Sequence, residues 1–348
     1  MYMDKQTNLA FYRKYRPTSF DEVIGQDHIT KPLKAQVKNS NPSHAYLFSG
    51  GRGIGKTTIA RILANELGVS QKDIYEIDAA SHTGVDDVRD IKESAYTLPF
   101  ESKYKVYIFD EVHMLSKSAF NALLKILEEP PSYVIFMLAT TEPEKIPDTV
   151  ISRCETYNLK QPTKHILVDV LKSVAKKEKR NLENGVYELV ATLANGSFRD
   201  ALGILQKILN SSENKTISVE FAEELTGAPK TKLLNDLLKA MTDKKIEEAL
   251  AVIGSVVSLN ADIIIFQQLF LERFRTVLLL KYAPDLAEKI KAQYTQDDFE
   301  FLSSVANSDS EIIKPQTLLK LIDTELNTKI ASIKHLPFEL AIIDILDN

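Results

Sequence analysis

The chain has 348 residues, 44% of them hydrophobic, which is enough to bury a core in each of two or three domains. Its formal net charge of −5 gives no general attraction to nucleic acid, so any such contact must use a local patch or a surface formed by several subunits. The single cysteine, Cys154, excludes an internal disulfide and a multi-cysteine metal site, and no apolar run approaches the length of a membrane span. The start Met1-Tyr2-Met3-Asp4-Lys5 lacks the apolar core of a signal peptide, so a cytoplasmic protein with no membrane partner is expected.

The first strong element is the apolar run Ala45-Tyr46-Leu47-Phe48, which reads as a buried strand, and Ile59 to Ala64 reads as a helix. Between them Gly50 to Thr58 matches G-x-x-x-x-G-K-[ST], a phosphate cradle. Gly51, Gly53, Ile54, Gly55 and Thr58 are expected to wrap a nucleoside triphosphate. Lys56 reaches the β and γ phosphates, and the Thr57 hydroxyl takes a Mg²⁺ position.

Further runs at Ile74 to Ile77, Val106 to Phe109, Val134 to Leu138 and Thr156 to Leu159 alternate with helical segments such as Lys117 to Glu129. That alternation predicts a parallel sheet with crossover helices. The third strand ends in Asp110-Glu111, at the edge that faces a ligand crevice. Asp110 is expected to hold Mg²⁺ and Glu111 to polarise the water that attacks the γ-phosphate, so hydrolysis is the favoured reaction.

After Pro162 the strands are expected to stop. Helical spacing runs through 166–179, 186–193, 199–209, 219–225, 232–241, 245–257, 263–282, 299–305, 315–330 and 338–346, with a seam near Gly227-Ala228-Pro229. Three domains follow: 1–162 for the nucleotide, 163–228 as a small helical domain and 229–348 as a larger helical one.

Tyr12-Arg13-Lys14-Tyr15-Arg16-Pro17, Val23-Ile24-Gly25-Gln26-Asp27, the phosphate loop, Ile77-Asp78-Ala79-Ala80-Ser81, Asp110-Glu111-Val112-His113-Met114-Leu115, Asn121-Ala122-Leu123-Leu124-Lys125, Leu127-Glu128-Glu129-Pro130-Pro131, Leu138-Ala139-Thr140-Thr141 and Ser152-Arg153-Cys154 stand in the order found in clamp-loader ATPases. The set resembles the bacterial DNA polymerase III gamma/tau family of the AAA+ class, densely over residues 10–205 and beyond that as a helical region of suitable length. The resemblance implies an α/β P-loop AAA+ domain, a helical lid and an all-helical collar that serves oligomerisation. It implies an ATPase that uses ATP and Mg²⁺, opens the sliding clamp and loads it onto primer-template DNA, and releases both on hydrolysis. The implied partners are delta, delta-prime and further copies of the chain. No polymerase site is visible.

By the same resemblance, Val23 and Ile24 pack around the adenine and Arg16 lies near the nucleotide; a solvated surface charge is the competing reading of Arg16. Thr141 matches the polar sensor of the γ-phosphate, with Thr140 a close rival, and Arg199 matches the second sensor, on the lid. Arg153 matches a finger presented to the neighbouring subunit's ATP. Thr83 and Arg89, and after them Lys92, fall on a segment that in the family tracks DNA phosphates; a solvated amphipathic helix is the competing reading. Cys154 and His113 are expected to be packing residues. The zinc-binding insertion usual in the family is replaced by Gly68-Val69-Ser70-Gln71-Lys72-Asp73, so no zinc is expected. The end at Asn348 leaves out the long extension of tau forms, so the chain is expected to be a gamma-length product, a truncated form or a reduced homologue. The rival readings are a delta-prime-like subunit, a DExH-type helicase and a small-molecule kinase. The intact Lys56, Thr57, Asp110 and Glu111 favour an active motor over the first. The helical pattern after residue 162 argues against the second motor domain that a helicase needs. A kinase would leave the third domain unexplained.

Overall fold

A computed structural model of the chain describes residues 9–81, 84–212, 216–291, 294 and 296–347. Its contacts group into two units, Met1–Asp169 with Gly196–Gly203, and Val170–Asn195 with Ile204–Asn348.

The first unit holds strands β1 (Ala45–Ser49), β2 (Ile74–Asp78), β3 (Lys105–Asp110), β4 (Val134–Thr140) and β5 (Glu155–Asn158), all parallel, in the order β2-β3-β4-β1-β5. Around them lie α1 (Phe11–Lys14), α2 (Asp27–Lys38), α3 (Lys56–Glu66), α4 (Val85–Ala95), α5 (Lys117–Glu128) and α6 (Asp148–Ile151). The central strands are continuous apolar runs because both their faces are covered. Successive residues serve opposite cores: Tyr107 and Phe109 join Leu123 and Phe136 on one side, while Val106 and Ile108 join Leu63 and Met137 on the other. The nucleotide-domain fold is the expected one, and β1 lies between β4 and β5, so its end opens the crevice of the sheet.

The second unit takes in α7 (Lys164–Lys177) from residue 170, α8 (Asn184–Leu193), and α9 (Phe198–Ser211) from residue 204. It continues through α10 (Val219–Thr226), α11 (Thr231–Thr242), α12 (Ile246–Ser258), α13 (Ile263–Tyr282), α14 (Ala287–Lys291), α15 (Gln296–Ala306), α16 (Pro315–Ile330) and α17 (Leu336–Asp347). Asp262 starts α13 by accepting the backbone N–H of Ile264 at 2.8 Å. Phe266 and Phe270 of α13 then meet Phe338 of α17 edge-on inside the core. The α10 helix stops at Gly227, in the left-handed region at φ +71°, and Glu223 accepts from the Thr231 backbone N–H across the seam at 2.9 Å.

Two departures from the sequence reading occur here. Strands do not stop at Pro162: β6 (Asn181–Leu182) and β7 (Thr216–Ile217) form a short parallel pair. Two residues are too few to set a period-2 pattern, so nothing in the sequence announces them. The five-residue α14 is likewise too short to show helical periodicity.

Where the inserted module would lie, Ser70 caps a 3₁₀ turn at Gln71–Asp73. The buried Asp73 carboxylate accepts the backbone N–H groups of Phe100, Glu101 at 3.0 Å and Ser102 at 2.8 Å, tying this turn to the segment before β3. Burial alone would raise this carboxyl; the backbone donors and Ser102 outweigh it and leave it below the usual carboxylate value. Asp73→Asn is therefore expected to destabilise the chain by about 1–3 kcal/mol at neutral pH. Because the folded-state value is the lower one, the parent's advantage is full above the unfolded value of about 4 and is lost as pH falls through the folded value. Denaturation of both proteins across that range checks this, and an advantage that survives undiminished to about pH 2 would contradict it.

Candidate phosphate-binding site

The phosphate loop leaves β1 at Ser49 and enters α3 at Lys56. Gly53 and Gly55 hold φ of +72° and +109°, in the region that L side chains rarely adopt. A Cβ on Gly53 would also sit 2.1 Å from Ser197 Oγ. The loop thus closes on the segment 196–199, where the Arg199 backbone N–H donates to the Gly53 carbonyl at 3.4 Å, and the buried Ile54 anchors it to the core. Lys56 is buried, and its Nζ donates to the carbonyls of Gly50 and Gly51, each at 2.9 Å. Burial lowers the pKa of its ammonium, opposed by Glu111 and Asp110 and reinforced by Arg199. A loop-held ammonium at a helix start is a receptor for a polyphosphate.

The carboxylates come from β3. Thr57 Oγ1 donates to Asp110 Oδ2 at 3.0 Å, which puts two hard oxygen donors side by side and fits the donor set that Mg²⁺ takes. Glu111 leaves the strand in the left-handed region at φ +47°. Its Oε2 accepts from the backbone N–H and the Oγ1 of Thr141, at 3.1 and 2.9 Å. Thr140 is buried and turns to His113 instead, whose Nδ1 lies 3.0 Å from its Oγ1 and 3.4 Å from Glu111 Oε2. His113 Nε2 lies 3.1 Å from Glu142. The reading of His113 as packing missed these three oxygen contacts; two of them, to Thr140 and Glu142, join the turn after β3 to the end of β4 and have no local pattern.

Arg16 and Arg199 line one cavity of about 500 Å³ together with Tyr12, Arg13 and Arg61. Burial, then the charges of Arg61, Arg199 and Arg13 against Glu76, leave the Arg16 guanidinium below its ordinary pKa. Arg61 escaped the sequence reading, although its position four residues after Thr57 on α3 puts it on the same face. Val23 packs against the core that holds Phe20 and Ile29, while Ile24 is half exposed beside Gly25. Gln26 pins this segment to the chain after β5, donating to the Lys160 carbonyl at 2.6 Å and accepting its N–H at 3.1 Å.

The structure brings Lys56, Thr57, Asp110, Glu111 and Thr141 together around the strand ends and places Arg16 beside Arg199. Arg153 is not joined to them. Its guanidinium donates to Glu128 at 2.6 Å and to the Thr149 carbonyl at 2.7 Å, and among the described residues it makes no bond to the phosphate loop. Arg89 is exposed and paired with Asp86 at 2.8 Å on α4, which also carries Lys92. Thr83 lies outside the described residues. Burial pushes the Cys154 thiol up to about 12, which makes it a poor nucleophile.

The family described as DNA polymerase III, delta subunit, matches residues 69–163. The chain is 40% identical to the DNA polymerase III subunit tau of Bacillus subtilis (strain 168), over 90% of this chain and 58% of the relative. It is 34% identical to the DNA polymerase III subunit gamma of Buchnera aphidicola subsp. Schizaphis graminum, over 86% of this chain and 87% of the relative. With the gamma/tau subunit of Mycobacterium tuberculosis (strain H37Rv) it shares 38% identity over 81% of this chain and 53% of the relative. The chain thus spans about half the length of the tau and gamma/tau relatives. Among solved structures, the RuvB Holliday junction branch migration motor of Thermotoga maritima shares the fold, with a TM-score of 0.53 and 23% identity over 71% of this chain and 86% of that one.

The tight closure at Gly53 is directly testable. Gly53→Ala meets both an unfavourable φ and the Ser197 hydroxyl, so it is expected to destabilise the loop by about 1–2 kcal/mol or more even without nucleotide. Thermal unfolding of the two proteins measures this, and identical melting curves would contradict the closure.

Proposed function

The chain belongs to the DNA polymerase III gamma/tau family, and on that footing we propose that it is an ATPase subunit of a bacterial clamp loader. ATP binding opens the sliding clamp and loads it onto primed DNA, and hydrolysis releases both. The observation that carries this reading is the meeting of Thr57 with Asp110 at 3.0 Å beside the buried Lys56, with Glu111 held one residue further on. Lys56 and the loop 51–58 bind the phosphates, and Thr57 and Asp110 hold Mg²⁺, which when bound neutralises charge on the phosphate oxygens. Glu111 orients the attacking water. Its two bonds to Thr141 support Thr141 over Thr140 as the sensor, since a change at the γ-phosphate can reach the base through that contact. Arg199 and Arg16 add guanidinium groups from the lid and the N-terminal segment. Val23 and the half-exposed Ile24 offer apolar surface to the adenine.

Arg153 acts in trans on a neighbouring subunit's nucleotide. Its tether to Glu128 and Thr149, apart from its own loop, supports this reading. Thr83, Arg89 and Lys92 contact the DNA backbone, giving salt-sensitive, sequence-independent binding. The division 1–162, 163–228 and 229–348 into nucleotide domain, lid and collar belongs to the same proposal. So do the partners: delta, delta-prime, further copies of the chain, the clamp and primer-template DNA. The proposed location is the cytoplasm; no helix among the described residues is long and apolar enough to cross a membrane.

Lys56→Ala is expected to abolish nucleotide binding, whereas Glu111→Gln keeps binding and stops turnover, because one opposes phosphate charge in the ground state and the other acts on the attacking water. Calorimetric titration with MgATP separates the two, and parental affinity in Lys56→Ala would remove the phosphate-loop assignment. Arg153→Ala is expected to leave the lone chain's affinity intact and to reduce hydrolysis in the assembled complex, by roughly a thousandfold where chemistry limits the rate. Adding a subunit with intact Arg153 and a dead phosphate loop should restore it. Weakened nucleotide binding by the lone chain would place the arginine in its own subunit's site.

A further inference from the structure

Four guanidinium groups, from Arg13, Arg16, Arg61 and Arg199, line the cavity of about 500 Å³ beside the phosphate loop. Among the described residues the only carboxylate ion-paired with any of them is Glu76 of β2, which holds Arg61. Guanidinium groups do not deprotonate in proteins, so this repulsion is relieved only by an anion. The Arg61 side chain is 42% exposed, so its guanidinium is open to a ligand that displaces Glu76.

The position of Arg61 says which ligand. It follows Thr57 by four residues on α3, on the same face, and helical side chains lean back toward the start of their helix, here the phosphate loop. Arg199 connects the cavity to that loop through its backbone bond to Gly53 and its charge beside Lys56.

We infer that Arg61 is a further nucleotide-binding residue: the polyphosphate of the nucleoside triphosphate pairs with its partly exposed guanidinium, Arg13 adds charge to the same cavity, and Glu76 competes for the guanidinium. This rests on the nucleotide reading above and adds to it a donor and its competitor. A triphosphate, which concentrates its charge at one place, matches four arginines on one cavity, whereas a DNA backbone spreads one charge per phosphate along the strand.

The test is titration of the full chain with MgATP and with inorganic tripolyphosphate, for the parent and for Arg61→Gln, Arg61→Lys and Glu76→Gln. Arg61→Gln should weaken both ligands by roughly ten- to a hundredfold, the span for losing one charge-assisted hydrogen bond. Arg61→Lys should recover part of the loss, because it keeps the charge without the fork. Glu76→Gln should tighten both ligands a few-fold, since it removes the competitor in an exposed pair. A merely structural ion pair gives the opposite sign, because breaking it from either side would weaken binding. Parental ATP affinity in Arg61→Gln overturns the inference while the nucleotide reading stands. A loss confined to ATP, with tripolyphosphate unaffected, overturns the polyphosphate assignment. A folded parent that binds no MgATP removes the nucleotide reading, and this inference falls with it.

Discussion

The site depends on one convergence: β1 and β3, which are not neighbours in the sheet, end at the same level with β4 between them. From those ends the first turn of α3 and the last residue of β3 reach each other, and Thr57 meets Asp110. Parallel strands make this possible, because all carboxyl ends lie on one edge and a ligand there is touched by residues far apart in sequence. The apolar faces of β3 and β4 keep that edge fixed; the same side chains that fill the two cores hold the carboxylates within hydrogen-bond reach of the loop.

Charge at this edge is arranged in two zones. On the strand side, Asp110 and Glu111 face the Lys56 ammonium, which burial would otherwise drive toward its neutral form. On the outer side, arginines from α1, the segment after it, α3 and α9 gather with a single paired carboxylate among the described residues. The first zone has two carboxylates against one ammonium and suits a metal cation that bridges to a reacting phosphate. The second is left positive and suits the charge that a nucleotide brings. A network of His113, Thr140, Thr141 and Glu142 fixes the direction of the Glu111 carboxylate, so its orientation is set by the end of β4.

Much of the fold was legible in the sequence because the central strands are buried on both faces and so appear as uninterrupted apolar runs. The phosphate loop was legible because its residues are contiguous. What escaped was short or tertiary. The β6–β7 pair is two residues long on each side. His113 looked like packing because its oxygen partners lie across the sheet edge, and Arg61 looked like an ordinary helix position because the charges around it come from three separate elements. Arg153, Arg89 and Lys92 are a different case: under the proposed function their partners belong to a neighbouring subunit and to DNA, so a single chain does not test their roles.

The central claim is that this chain is a motor whose turnover is governed by clamp and DNA. The most direct measurement is phosphate release from MgATP by the chain assembled with delta and delta-prime subunits, with and without sliding clamp and primed DNA. The account predicts that clamp and primed DNA together accelerate release well above the basal rate. A rate indifferent to both would contradict it.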